Sequence, residues 1–443
     1  MIICKLTGFA KIFVNMRIRD IKPYRSLIIN TLDKISKLNK RRKDFLYETI
    51  ILFLSIKGRS NFLQLSRFGT HCEQRFRMQF EKPFDFIGFN KELVQSHGNG
   101  HYVIAFDPSY IDKSGEKTPG VGWFWSGCAN QTKWGLEIGG IAAIDIDNHT
   151  AFHLESVQTL ADDAGVDDLS TWYADVLESR KDTLLSISKY LVADAWLSRK
   201  PFTDRILLMG MLLISRLRDD ADLRYLCQDA PSRKRGRPRK YTGKINVKSI
   251  DREYFNLIAD NQEQTVHSAV AYSKALKRNI LLVHVLYKTA KGKQSVKLYV
   301  STDLELLPLN VLYYYQSRFQ IEFLYRDSKQ YTGLCDCQSR SENKLNFHFN
   351  MALTSLNIAK VEDWLSIPKE DRKQFSMADI KTMNHNRLLL DRFIDMFGIN
   401  PNLIKNQNAF KELNILRHYC RLKINEVWYY LTRELLYLST SIG

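Results

Sequence analysis

The sequence predicts an α/β protein: a mixed sheet core with helices, interrupted by a β-rich insertion and flanked by N- and C-terminal helical regions. Three observations predict it. Apolar residues recur at helical spacing up to about residue 95, and again from about 309 onward. Between 101 and 218, strand-like apolar runs alternate with helical stretches. Residues 220–305 then read as successive strands with a basic run among them. The 443-residue length exceeds that of one ordinary domain, and 44% hydrophobic with 12% aromatic content suffices for packed cores. The expected division is 1–95, helical; 96–219, first part of the core; 220–305, insertion with a basic loop at 232–241; 306–362, second part of the core; and 363–443, a C-terminal helical region.

Taken in order, helix-period apolar residues run through 25–56, and "RSNFLQLSRFGTHCEQRFRMQF" (59–80) joins short helices to Arg59, Arg67, Arg75 and Arg77. Two readings of that basic unit stand: docking on DNA in helix-turn-helix fashion, or a solvated charged face on a helical cap. "HYVIAFD" (101–107) predicts a buried strand ending in Asp107, with a loop over 113–127 behind it. "GLEIGGIAAIDI" (135–146) and "AFHLESVQT" (151–159) predict further strands, and 165–187 a helix. "KYLVADAW" (189–196) predicts a buried strand with Asp194 at its end; a short helix and the strand "MGMLLISRLR" (209–218) follow. Asp107 and Asp194 thus both stand at C-terminal strand ends, where ligands gather in helix-covered sheets. In the insertion, "YTGKINVKSI", "TVHSAVAYSKAL", "NILLVHVLYK" and "QSVKLYVST" predict antiparallel strands.

Charge narrows the function. Lys and Arg number 65 against 48 Asp and Glu, a formal net charge of +17, which points to a polyanionic partner and above all nucleic acid. No apolar run approaches the roughly 18 residues that span a bilayer, and no secretory leader is visible. Seven scattered cysteines fit a reducing cytoplasm. Cys335 and Cys337 form a pair with no partner pair to complete a metal site, so they read as incidental thiols. "GEKTPGVG" lacks Walker spacing, which excludes a phosphate-binding loop of that kind.

The segment "YYYQSRFQIEFLYRDSK" (313–329) is aromatic enough for a core yet heavily charged. On one continuous helix, Tyr315, Arg318, Glu322 and Lys329 would share an arc of about 60° at about 100° per residue. A carboxylate between bulky apolar neighbours is costly unless a cation meets it. With Lys329 two turns away, a metal ion is the candidate partner. Asp107, Asp194 and Glu322 could then form an oxygen-rich Mg²⁺ site. Two such ions about 4 Å apart can activate water and stabilise the leaving oxygen of a phosphodiester. The bland alternatives are that Asp107 caps a turn with Pro108 and that Glu322 is a surface acid.

The spacing Tyr315-x2-Arg318-x3-Glu322-x6-Lys329 resembles the signature of DDE transposases of the insertion-sequence-four branch. "IAFDPSYIDKSG" around Asp107, "VADAWLSRKPF" around Asp194 and the helix "FHFNMALTSLNIAK" (347–360) strengthen the resemblance, which covers roughly residues 100–360. It implies a ribonuclease-H-like core and an enzyme that uses Mg²⁺ (or Mn²⁺), two ions, to cut transposon ends and join them to target DNA. It implies Asp107, Asp194 and Glu322 as metal ligands, and Tyr315, Arg318 and Lys329 as contacts to DNA near the transposon end. It also implies a synaptic homodimer, with the helices from 363 as a plausible interface, in the cytoplasm of a bacterium and associated with the nucleoid. Trp123, Trp125 and Trp196 are alternative seats for a flipped base. The rival readings are a nuclease on the same core without strand transfer, and a catalytically dead DNA-binding regulator.

Outside the signature, "RKRGRPRK" (233–240) resembles an AT-hook, with Arg235, Arg237 and Arg239 as DNA contacts. Minor-groove insertion and nonspecific phosphate contact both fit it. Arg216 and Arg218 either approach DNA or pair with Asp219 and Asp220. His348 reads as a satisfied core histidine.

Overall fold

The computed structural model describes residues 24–35, 38–160, 169–227, 239–288, 294–368, 371–372 and 374–396. Five helices lead in: α1 (Arg25–Lys34), α2 (Lys40–Ser55), α3 (Phe62–Phe68), α4 (Glu73–Phe80) and α5 (Phe86–His97). Local sequence fixes where three of them begin. Asn39, Asn61 and Asp85 each accept a hydrogen bond from the backbone N–H three residues on, satisfying a donor the helix leaves orphaned. Arg42, on the basic first turn of α2, is buried. It donates to the Gln79 carbonyl (2.9 Å) and the Lys82 carbonyl (3.1 Å), tying α2 to the end of α4.

The core sheet is built on β1 (Tyr102–Asp112). Its neighbours are β3 (Gln131–Asp145), antiparallel, and β5 (Tyr190–Ala193), parallel. β4 (Thr150–Gln158) lies beyond β3 and β6 (Leu212–Leu217) beyond β5. In the order β4-β3-β1-β5-β6 only β3 runs against the rest, a mixed sheet consistent with the ribonuclease-H-like class. The loop predicted over 113–127 contains a strand, β2 (Gly122–Ser126), paired with the outer half of β3. Flanking Gly and Pro residues masked its alternation, in which Trp123 and Trp125 face outward and Phe124 inward.

Between β4 and β6 lie α6 (Leu169–Glu178), α7 (Lys181–Leu185) and α8 (Lys200–Leu208). The single helix predicted over 165–187 is therefore two, divided at Ser179 and Arg180; its first residues, 165–168, fall outside the described ones. Adjacent glycines on β3 admit the two covering layers. Gly139 lies against Phe106 and Tyr173 of α6, while Gly140 lies against a tyrosine from the opposite face, described below.

The insertion continues the same sheet. β7 (Leu223–Leu226), β8 (Tyr241–Lys244), β9 (Asn256–Asp260), β10 (Gln264–Ser273), β11 (Arg278–Lys288) and β12 (Gln294–Ser301) follow in sequence. β12 pairs antiparallel with β6, so the added strands extend the core rather than stand apart. They still enclose a second apolar cluster that includes Leu223, Tyr225, Phe255, Leu282 and Val300. β7 and β9 were not foreseen in the sequence.

The chain returns as α9 (Pro308–Ser317), α10 (Gln320–Asp327), a wide π-turn at Ser328–Thr332, α11 (Glu342–Ser366) and α12 (Met377–Met396). α11 is buried on nearly every face over 345–361, so its polar residues must be satisfied internally. Asn350 accepts from the Ser156 N–H (2.8 Å) and Asn357 from the His153 N–H (2.9 Å), locking α11 along β4. His348 is the satisfied core histidine expected: its Nε2 stands 2.8 Å from the Gly333 carbonyl, and burial pushes its pKa down to about 4. Among the described residues no helix is long and apolar enough to cross a membrane.

Candidate active site

Three separate parts of the chain meet where β5 ends beside the middle of β1; the strand expected to end at Asp107 runs on to Asp112, because its outer half keeps pairing with β3. Asp107 lies within β1, and Tyr325 of α10 donates to its backbone carbonyl (2.6 Å). That contact needs a glycine at position 140, across the sheet from Asp107, because any Cβ there would run into the Tyr325 hydroxyl. Asp194 follows β5 directly and opens a tight turn at Ala195–Leu197; its carbonyl accepts from Ser215 Oγ (3.2 Å) on β6. Glu322 stands in the first turn of α10.

The signature does not lie on one straight helix. At Arg318 and Phe319 the backbone tightens to bonds spanning three residues, with Arg318 N–H to the Tyr315 carbonyl at 3.2 Å and Glu322 N–H to the Phe319 carbonyl at 3.1 Å. The π-turn at 328–332 then widens the path. Three of the four signature side chains nevertheless touch β1 or the residue that follows β5, and Glu322 is tied to them through Arg318. Tyr315 donates to Asp194 (3.2 Å). Arg318 forks between Asp107 (3.2 Å) and Glu322 (3.1 Å). Lys329 donates to Ser109 Oγ (3.0 Å) and the Tyr110 carbonyl (2.7 Å) on β1. The cationic partner sought for Glu322 is therefore within the chain: Arg318, four residues earlier.

Charge is concentrated here. Burial pushes the Asp107 carboxyl up to about 7; Arg318 opposes that rise, while Glu322, Asp194 and Glu137 add to it. Burial works against the Arg318 charge, yet Asp107 first, then Tyr315, Asp194 and Glu322, hold its pKa above the ordinary value. Burial and then Asp194 raise the Tyr315 hydroxyl to about 12, so it stays a proton donor. Burial lowers the Lys329 ammonium. A family model for the transposase DDE domain matches residues 101–358, more than half of the chain and all of this site. The chain belongs to the DDE transposase family. No curated protein matches it.

A transposase acts on DNA, and in this family divalent metal ions serve the chemistry. Three carboxylates are the type of hard oxygen donor that such a cation takes. Burial is the main cause of the Asp107 shift, and Glu322 and Asp194 add to it. As placed, however, no group of three His, Cys, Asp or Glu among the described residues could hold an ion. Arg318 sits between Asp107 and Glu322 instead.

The other sequence candidates divide. Arg235 and Arg237 lie outside the described residues. Arg239 is described, and its guanidinium donates to the Tyr241 and Thr242 carbonyls, both at 2.8 Å. Arg216 and Arg218 pair with Asp219 (3.6 Å) and Asp220 (3.1 Å), one of the two options left open by the sequence. Trp123, Trp125 and Trp196 are all exposed, and Arg199 lies over the Trp196 ring at 5.1 Å. Cys335 and Cys337 are free thiols. The sequence reading missed Tyr325 and Gly140. The signal for Gly140 was present: a Gly-Gly step inside an apolar strand marks close approach of another group.

Proposed function

We propose that the transposase cuts the ends of an insertion sequence of the insertion-sequence-four branch and joins them to target DNA. The observation that carries this reading is the junction of Asp107, Asp194 and Glu322 with the Tyr315-Arg318-Glu322-Lys329 signature, between the middle of β1 and the end of β5. Asp107, Asp194 and Glu322 would hold Mg²⁺ (or Mn²⁺), two ions. Bound there, the ions supply Lewis acidity that activates water and stabilises the leaving oxygen of an in-line displacement.

The protein's own groups orient the DNA. Tyr315 holds Asp194 through its hydroxyl and faces the backbone near the transposon end. Arg318 offers a planar fork suited to a phosphate. Lys329 uses two of its donors on β1 and keeps one for the DNA backbone. Arg235, Arg237 and Arg239 add contacts from the insertion, residues 1–95 form a DNA-binding region, and the region from 363 on, of which 397–443 lie outside the described residues, pairs two protomers in a synaptic homodimer. The work takes place on nucleoid DNA in the cytoplasm.

The test is an assay of the purified chain with Mg²⁺, DNA carrying the repeats that flank the gene, and a supercoiled target. Joined products are expected. Cleavage without joining would make it a nuclease, and binding without cleavage a regulator.

A further inference from the structure

We propose that Arg318 is a resident counter-ion for the metal site: it occupies the carboxylates of Asp107 and Glu322 in the free protein and must yield them before a divalent cation binds. The inference rests on the functional reading above and adds how occupancy of that site is regulated.

Three observations carry it. The Arg318 guanidinium reaches both carboxylates at once, at 3.2 and 3.1 Å, and its side chain is only 14% exposed. The oxygens it engages are the ones a cation would need. Its Nε is buried without a hydrogen-bond partner, so the fork is incompletely satisfied where it stands. A guanidinium and a divalent cation cannot both lie between Asp107 and Glu322 without strong like-charge repulsion. Arg318 also stands at the break between α9 and α10, where a change of side-chain direction need not disturb a continuous helix.

A DNA phosphate supplies what Arg318 would need in exchange. Phosphate accepts the planar fork in two parallel bonds, and its arrival frees the two carboxylates. Cation and DNA then promote one another's binding by the same factor, because linkage is reciprocal. An ion would settle in the site chiefly when DNA is present, which guards against idle cleavage.

The experiment is Mn²⁺ binding measured by electron paramagnetic resonance on the full chain without DNA. Arg318→Gln is expected to bind Mn²⁺ about tenfold more tightly than the parent, within the usual range of coupling. Arg318→Lys keeps a cation but cannot fork between two carboxylates, and it is expected to fall between the two. It also serves should the glutamine variant fail to fold. Arg216→Gln removes a neighbouring cation that touches neither carboxylate, and a change below about twofold is expected. Equal affinity in the parent and both Arg318 variants, weaker binding in the variants, or an equal gain in Arg216→Gln would overturn the inference while leaving the metal site intact. Affinity unchanged when Asp107→Asn is added to each form would instead overturn the functional reading itself.

Discussion

Gly140→Ala tests how the sheet places Glu322. A methyl group there would strike the Tyr325 hydroxyl and stand 2.9 Å from its Cζ and 3.3 Å from its Cε1. Tyr325 is nearly fully buried, at 6% exposure, so the ring has no room to step aside. Either α10 lifts from β1 or the hydrogen bond to the Asp107 carbonyl breaks. Overpacking and the loss of that buried bond together put the cost at about 2–5 kcal/mol. Cleavage should suffer further, because a displacement of about 1 Å at Glu322 costs on the order of 100-fold in rate. Urea denaturation measures the first effect and single-turnover cutting the second. Adding Tyr325→Phe removes the offending oxygen and should recover about 1 kcal/mol relative to the sum of the two single changes. A Gly140→Ala protein within about 0.5 kcal/mol of the parent, or costs that simply add, would refute the reasoning.

Other outcomes follow from the same geometry. Glu322→Gln should lower the cutting rate by about 10³-fold or more with DNA affinity near normal, and wild-type rates in a gel assay would remove Glu322 from the metal site. Lys329→Met removes the bonds to Ser109 and Tyr110 and should cost about 1–3 kcal/mol in denaturation, with no loss expected if the ammonium were merely solvated. Arg237→Ala should weaken DNA binding and reduce the salt slope by about one; an unchanged slope would take the basic loop out of the interface. Burial holds the Lys381 ammonium down at about 7, against an ordinary 10.5. The unfolded chain therefore binds more protons between those values, and stability should rise with pH across that window by up to about 1.4 kcal/mol per unit. Lys381→Met should flatten this rise, and an equal slope in both proteins would exclude Lys381 as its source.

The residues that meet at the candidate site were more legible than the path that brings them together. Asp107 and Asp194 could be read because buried apolar runs end in an acid at each, and such runs have few alternatives to a central strand. The signature was legible as a spacing, but the straight helix inferred from it is broken at Arg318 and Phe319. Helical periodicity tolerates such a break, since a tight turn and a later wide one keep side chains on one side. The bond from Arg318 to Glu322 was legible too, since a spacing of four sets the two side chains side by side on a helix. β2 was lost to the glycines around it, and β7 and β9 to their brevity and partial exposure. Nothing in the sequence marks Arg42 as buried; the carbonyls it meets, of Gln79 and Lys82, lie far along the chain.

The most direct measurement is an anomalous-scattering map of Mn²⁺ in crystals of the transposase bound to end-sequence DNA. Peaks are expected within about 2.2 Å of carboxylate oxygens of Asp107, Asp194 and Glu322, with Arg318 turned onto a phosphate. Ions bound elsewhere, with Arg318 still bridging Asp107 and Glu322 and DNA in place, would contradict the shared-carboxylate site on which the proposed chemistry depends.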